Sequence, residues 1–79
     1  MTIVKGEFIV STDRQRLDLT FIHAWLSGES YWSRGIPFKK VEMAADHSLN
    51  FGLYHQDRQI GYARIITDYS RVAYLADVF

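Results

Sequence analysis

Apolar residues recur at helical spacing in two segments of the chain, which predicts two amphipathic helices. The first segment runs over residues 17–28, where the apolar stripe consists of Leu19, Ile22, Trp25 and Leu26. Asp18 precedes this stripe and can cap the helix by accepting a backbone N–H, while Gly28 stands where a left-handed residue would end it. We therefore expect a helix between Asp18 and Gly28.

The second stripe begins after a proline. Pro37 suits the first turn of a helix, because its missing N–H would have no partner there. The apolar positions that follow are Phe38, Val41, Ala44 and Ala45, and the pattern ends near Ser48. Between the two predicted helices, residues 29–36 form a loop that contains the adjacent aromatic residues Tyr31 and Trp32.

The remaining apolar runs are short and β-rich. One, Phe8–Ser11, precedes the helices, and residues 51–68 read as an antiparallel hairpin that turns at residues 56–59. A last strand covers Val72–Phe79. The order is strand, helix, helix, strand, strand, strand, which predicts an α+β fold with a four-stranded, mainly antiparallel sheet and two helices on one face, forming one domain over residues 1–79.

The last strand differs from the others because nearly all of its residues are apolar, as expected of a strand buried on both faces. As the terminal strand it also leaves one backbone edge unpaired, and such edges promote pairing with another chain. We therefore expect further protein, a second copy of this chain or another partner, to cover this edge.

The composition limits which classes of partner and which cellular location we expect. Of 79 residues, 48% are hydrophobic, which provides enough apolar surface for a folded core, and the nine basic and nine acidic residues are interspersed. Nucleic acids and anionic membranes need concentrated basic patches, so we expect neither as a partner. The chain lacks cysteine and shows no secretory leader or membrane-length apolar run, which makes the cytoplasm its expected location.

Two charged residues in the strands are candidates for a site. Arg64 lies on an otherwise apolar strand, on the same face as Tyr62 and Ile66, and a buried arginine needs a carboxylate or a cleft. Asp77 is the only carboxylate in the last strand. It is either the structural partner of Arg64 or a general base or substrate anchor. Tyr31 and Trp32 either pack on the domain or contact a substrate.

Other chemistries find little support in the sequence. His23, His47 and His55 have no metal-ligand spacing, so no metal site is expected. No serine lies in a nucleophile-elbow sequence, which argues against an acyl-enzyme.

The segments with sequence SYWSRGIP, GYARIITDY and AYLADVF, in this order, resemble the N-terminal half of the GNAT family of N-acetyltransferases. The resemblance extends from about Phe8 to Phe79 and implies transfer of an acetyl group from acetyl-CoA to a small amine or a peptide amine. It also implies that Tyr31, Trp32 and Arg64 bind the acceptor, that Asp77 is catalytic, and that Val78 and Phe79 begin the acetyl-CoA-binding strand.

The pyrophosphate-binding motif of that family, a basic, glycine-rich turn that opens a helix, has no match in these residues. On its own the chain is therefore expected to be inactive or a weak enzyme. The alternative is a non-catalytic interaction module derived from an acetyltransferase, which forms a homodimer through its last strand.

Overall fold

A computed structural model describes all residues, 1–79, and contains one sheet and two α-helices. The elements are β1 (Thr2–Lys5), β2 (Phe8–Ser11), a 3-10 turn (Arg14–Arg16), α1 (Leu19–Gly28), α2 (Phe38–Asp46), β3 (Leu49–His55), β4 (Arg58–Thr67) and β5 (Ala73–Val78). The strands lie side by side in chain order, and every neighbouring pair is antiparallel. The α+β class and the insertion of both helices before the hairpin agree with the sequence prediction.

The predicted number of strands was wrong, because the sheet has five strands and not four. The additional strand is β1, which pairs with β2 through a two-residue loop at Gly6 and Glu7. Gly6 has a φ of 61°, and a glycine at the first position of such a loop is typical of a tight hairpin turn. All four residues of β1 are exposed, so this strand shows no alternation between buried and exposed positions.

The helix boundaries follow the predicted caps with two differences. Asp18 caps α1 as expected, since its carboxylate accepts a hydrogen bond from the Phe21 N–H at 3.0 Å. Gly28, however, is the last helical residue and has no positive φ; the cap is Glu29, which has right-handed geometry. Pro37 precedes α2 as its N-cap, one position earlier than expected, with an extended backbone.

Both helices cover the same face of the sheet. The buried core consists of Ile22, Leu26, Val41 and Tyr62, which join α1 and α2 to β4. Partly buried residues that pack around it are Leu17, Leu19, Phe21, Trp25, Ile36 and Phe79. This core is small, so each of its members carries a large share of the stability of the chain.

A bulge in β5 decides which residues of the last strand face the helices. Arg64 pairs with Asp77 and Ile65 pairs with Leu75, so Ala76 has no partner of its own across β4. Because of this extra residue, Asp77 and Leu75 lie on opposite faces of the sheet, although simple alternation would place them on the same face. Asp77 is thereby turned towards the helices.

The opposite face of the sheet is apolar and carries no helix. Register places Phe51, Ala63 and Val78 in one row across β3, β4 and β5, and Ile65 beside Leu75 in the next. Within this chain the last strand is not buried on both faces, since Leu75 is 60% exposed and Val78 is 52% exposed, and the partner expected to cover it stays a prediction. β5 is an edge strand with one neighbour, β4.

Candidate functional site

A small cavity with a volume of about 40 Å³ lies between the two helices and the sheet. Its walls are mostly apolar, and its polar groups come from the loop between the helices and from β4 and β5. The lining residues are Ile22, Leu26, Ser33, Ile36, Val41, Ala44, Tyr62, Arg64 and Asp77. We take this cavity as the candidate site because two charged side chains, Arg64 and Asp77, line it beside the core.

An ion pair forms the floor of the cavity. The Nε of Arg64 donates to Oδ2 of Asp77 at 2.7 Å, and the two side chains are 17% and 8% exposed. The indole Nε1–H of Trp32 donates to the other carboxylate oxygen, Oδ1, at 2.9 Å. The sequence predicted Arg64 and Asp77 as partners, and the structure adds Trp32 as the second donor. Both oxygens of Asp77 are thus held, which fixes the carboxylate between the loop and the sheet.

A second set of hydrogen bonds continues from Arg64 to the end of α2. Nη1 of Arg64 donates to the hydroxyl of Ser48 at 3.0 Å, and that hydroxyl donates to the Ala44 carbonyl at 2.6 Å. Next to it, the amide of Asn50 donates to the carbonyls of Ala45 and Ser48 at 2.8 and 3.1 Å. Two carbonyls at the C-terminus of α2, those of Ala44 and Ala45, are therefore paired with the side chains of Ser48 and Asn50.

Tyr62 connects this network to the core. Its hydroxyl donates to Oδ1 of Asn50 at 2.5 Å, and only 4% of the residue is exposed. Burial raises the pKa of Tyr62 to about 12, because removal from water disfavours the phenolate, while the nearby charge of Arg64 opposes this effect. At neutral pH Tyr62 is therefore a protonated hydrogen-bond donor.

This pKa predicts a loss of stability in alkali. Below pH 10.0, the ordinary pKa of tyrosine, both the folded and the unfolded chain keep the proton of Tyr62. Between pH 10.0 and about 12, the unfolded chain releases this proton and the folded chain retains it, so the free energy of unfolding falls as the pH rises. Urea unfolding at a series of pH values measures this slope.

The variant Tyr62→Phe is the control for this prediction. It should show a shallower slope over the same pH range, with a remainder from Tyr54, whose pKa is also raised by burial. An unchanged slope in Tyr62→Phe would contradict the assignment to Tyr62. Titration of tyrosinate absorbance in the folded chain gives an independent reading of the same pKa.

The two loop aromatics that the sequence singled out have different surroundings. Trp32 is 44% exposed and reaches Asp77, whereas Tyr31 is 84% exposed and meets Trp32 edge to face at 5.4 Å between ring centroids. The loop itself is fixed by Ser30, whose buried hydroxyl donates to the Leu26 carbonyl at 2.6 Å and accepts from the Ser33 N–H at 3.2 Å. Trp32 therefore belongs to the site, and Tyr31 stands at its rim.

Comparison with known proteins finds a "putative acetyltransferase" both by sequence and by structure. No family model matches the chain. A "putative acetyltransferase" from Gibberella zeae is 31% identical over 94 aligned positions, which cover 95% of this chain and 53% of that protein. The crystal structure of a "putative acetyltransferase belonging to the GNAT family" from Xanthomonas campestris pv. campestris superposes with a TM-score of 0.91 at 45% identity, covering 96% of this chain and 54% of that one.

In sequence and in fold the chain resembles part of an acetyltransferase of the GNAT family. It spans about half the length of the relatives that it matches. The resemblance read from the sequence is thereby confirmed. No helix of the chain is long and apolar enough to cross a membrane.

The two residues expected to begin the acetyl-CoA-binding strand lie on different sides of the sheet. Val78 pairs with Ala63 on the open face and is exposed. Phe79 turns towards α1, where its ring stacks on Trp25 with a centroid distance of 4.2 Å and an angle of 4° between the ring planes. Its backbone exchanges hydrogen bonds with Tyr62 at 3.0 and 3.1 Å. Their part in cofactor binding stays a prediction.

Sequence reasoning missed three polar residues of the candidate site: Ser33, Ser48 and Asn50. Asn50 could have been found, since it alternates with Gly52 and Tyr54 along β3 and shares their buried face. Ser33 and Ser48 lie outside the regular elements, and their positions depend on the loop and on the end of α2. No local pattern marks such residues.

Proposed function

We propose that this chain provides the acceptor-binding side of a GNAT N-acetyltransferase, which transfers an acetyl group from acetyl-CoA to a small amine or a peptide amine. The observation that carries the proposal is the cluster of Arg64, Asp77 and Trp32 beside mainly apolar walls, in a chain that resembles this family. A few convergent polar groups in mainly apolar surroundings are typical of the binding sites of small molecules.

In the proposed reaction the neutral amine nitrogen attacks the carbonyl carbon of the thioester. The new C–N bond forms, the C–S bond breaks, the amine loses one proton, and CoA leaves as a thiol. The role of the protein is to hold both reactants within reach of each other and to accept that proton, directly or through water.

Asp77 is the proposed catalytic residue. Each carboxylate oxygen already accepts one hydrogen bond, and each retains a lone pair that can accept another from an ammonium group. Arg64 compensates the negative charge of the carboxylate. This geometry therefore favours a role of Asp77 in anchoring the amine and disfavours a role as a strong general base. Trp32, Arg64 and, at the rim, Tyr31 would bind the rest of the acceptor.

Val78 and Phe79 are the proposed contacts to acetyl-CoA, through the backbone at the end of β5. Aromatic packing of Phe79 on Trp25 fixes this segment beside the cavity, and both N–H and C=O of Phe79 are engaged with Tyr62. The backbone of Val78 therefore offers the first groups that a pantetheine arm could reach beyond the cluster.

An amide-resolved NMR titration of the chain with acetyl-CoA tests the proposal. We expect saturable shifts at Asp77–Phe79 and at Trp32, followed by slow acetylation of an added amine. Since the chain holds no match to the pyrophosphate motif, S-acetylpantetheine, which lacks the pyrophosphate, should bind as well as acetyl-CoA. Trp32→Phe, which keeps an aromatic ring and loses the indole donor, is the matched variant and should reduce the acetylation rate.

Absence of shifts with both ligands at millimolar concentration would overturn the proposal. Shifts confined to residues outside the cavity and β5 would do the same.

A second candidate function is supported by the edge strand. β5 has a single neighbour in the sheet and exposes apolar side chains, with Tyr74 64% and Leu75 60% exposed. A non-catalytic module that forms a homodimer by pairing β5 with its copy would cover these groups.

For this alternative we expect Leu75→Lys to convert a dimer into a monomer, as measured by sedimentation equilibrium. Ile3→Lys is the matched control, because Ile3 lies on the opposite edge strand, β1, and is 54% exposed. A monomeric unmodified chain, or a dimer that survives Leu75→Lys, would exclude pairing through β5.

A further inference from the structure

The carboxylate of Asp77 is closed off from solvent. Its side chain is 8% exposed, and each oxygen accepts a hydrogen bond, Oδ2 from Arg64 and Oδ1 from Trp32. The cavity that Asp77 lines has a volume of about 40 Å³, which suffices for a few water molecules and not for an acceptor amine with its substituents. An amine therefore reaches Asp77 only after one of the groups around the carboxylate has moved.

Trp32 is the least restrained of these groups. Arg64 is largely buried and makes a further hydrogen bond, from Nη1 to the hydroxyl of Ser48. Trp32 is 44% exposed, and the one hydrogen bond of its side chain goes to the carboxylate. Its ring meets Trp25 and Tyr31 at centroid distances of 5.9 and 5.4 Å, tilted or edge to face, and so is stacked on neither. Moving the indole thus breaks the fewest contacts.

The backbone of the loop is held on both sides of Trp32. The hydroxyl of Ser30 accepts from the Ser33 N–H at 3.2 Å, and the Gly35 N–H donates to the Ser27 carbonyl at 3.0 Å. The backbone of Trp32 itself makes no hydrogen bond. Rotation of the Trp32 side chain to another staggered rotamer therefore uncovers the carboxylate without any movement of the loop.

The two oxygens of Asp77 are not equivalent for an incoming cation. Oδ2 faces the guanidinium of Arg64, where an ammonium would meet a like charge, whereas the donor at Oδ1 is the neutral indole of Trp32. An ammonium carries three N–H donors and a positive charge, and its hydrogen bond to a carboxylate is stronger than that of a neutral donor. An ammonium can therefore replace the indole at Oδ1.

We propose that the side chain of Trp32 is a gate over Asp77, and that a primary ammonium opens it by taking the place of the indole N–H at Oδ1. The ligand class is a small alkylammonium with N–H donors, and the oxygen that anchors it is the one that does not face Arg64. This inference rests on the proposed acetyltransferase function and describes how the acceptor enters that same site.

Two cations test the gate on the full chain without acetyl-CoA, methylammonium and tetramethylammonium, each titrated as the chloride and followed by NMR. We expect methylammonium to shift the Trp32 indole N–H signal saturably, with a dissociation constant of about tens of millimolar. The only other indole, that of Trp25, makes no hydrogen bond to Asp77 and is the internal reference. Tetramethylammonium has the same charge and no N–H donor, so it should leave the Trp32 signal in place at the same ionic strength.

The variant Trp32→Phe removes the donor that holds the gate closed and keeps an aromatic ring. It should bind methylammonium about tenfold more tightly, as measured at the Asp77 and Val78 amides, because no hydrogen bond has to be broken first. The matched control is Tyr31→Phe, which removes a hydroxyl at the exposed rim and should leave this affinity unchanged. A larger acceptor is still acetylated more slowly by Trp32→Phe, since the displaced indole no longer binds the rest of that acceptor.

Equal or weaker binding of methylammonium to Trp32→Phe would overturn the gate, as would binding that leaves the Trp32 indole signal unchanged. Equal displacement of the indole by tetramethylammonium would overturn the hydrogen bond to Oδ1 of Asp77. Absence of methylammonium binding to both the unmodified chain and Trp32→Phe would overturn the site. Displacement of the indole by methylammonium in a chain that does not respond to acetyl-CoA would refute the acetyltransferase proposal and leave the gate intact.

Discussion

Asp77→Ala is expected to destabilise the chain by about 3–5 kcal/mol, because it removes the only carboxylate beside the largely buried guanidinium of Arg64. Trp32 loses its hydrogen-bond acceptor in the same step. A chain of this length has a free energy of unfolding of about 4–12 kcal/mol, so the variant should lie close to the limit of folding. Urea unfolding followed by circular dichroism measures the change.

The control is an exposed ion pair of the same kind. Nε of Arg14 donates to Oδ1 of Asp46 at 2.8 Å, nearly the distance in the buried pair, but the two side chains are 29% and 50% exposed. Asp46→Ala should therefore change the stability by no more than about 1 kcal/mol. If Asp77→Ala cost as little as Asp46→Ala, the buried pair would not hold the loop and the sheet together.

A double variant tests whether the stability lost in Asp77→Ala comes from the charge that is left unpaired. Replacing both partners, as in Arg64→Met with Asp77→Leu, removes the unpaired charge and should recover most of the stability lost in Asp77→Ala. Because the proposed anchor of the amine is removed as well, the recovered protein should fold without binding an amine. Such a result would assign the ion pair to function more than to stability.

Ile22→Ala is the second substitution with a large expected effect, about 2–5 kcal/mol. Ile22 is 1% exposed and lies at the centre of the core, where it also lines the cavity. Removing three carbon atoms there joins new empty space to the existing cavity, and a core this small has few neighbouring groups that could move in to fill it. Thermal or urea unfolding reports the loss.

Ile3→Ala is the matched control, because it deletes the same atoms from a side chain that is 54% exposed on β1. We expect a change below about 1 kcal/mol there. Similar losses in the two variants would mean that the core around Ile22 does not dominate the stability of the chain.

The fold could be predicted from the sequence where burial is periodic. The stripes of α1 and α2 and the alternation in β3 reflect one buried face each, and those elements were identified. β1 was missed because all its positions are exposed, so burial leaves no pattern there; only Gly6 marks its turn. The apolar composition of the last strand does not reveal what covers it, and within this chain most of its side chains are exposed.

The site was predictable only in part. Pairing of Arg64 with Asp77 followed from the cost of an unpaired buried charge, which holds whatever the details of the fold. The contact of Trp32 with Asp77 joins residues 45 positions apart and depends on the loop between the helices. The bulge at Ala76 brings Asp77 to the helix side of the sheet. It is a local irregularity, and no repeating pattern in the sequence predicts it.

That bulge has a consequence for how the last strand can change. Deletion of Ala76 would remove the bulge and make Leu75 and Asp77 consecutive, so these two residues would still lie on opposite faces and Asp77 would still lie beside Arg64. Replacing the bulge by a regular strand of the same length would instead move Asp77 to the face of Leu75, away from Arg64. Related chains that keep the Arg64 pair should therefore either keep the bulge or lack the residue at position 76.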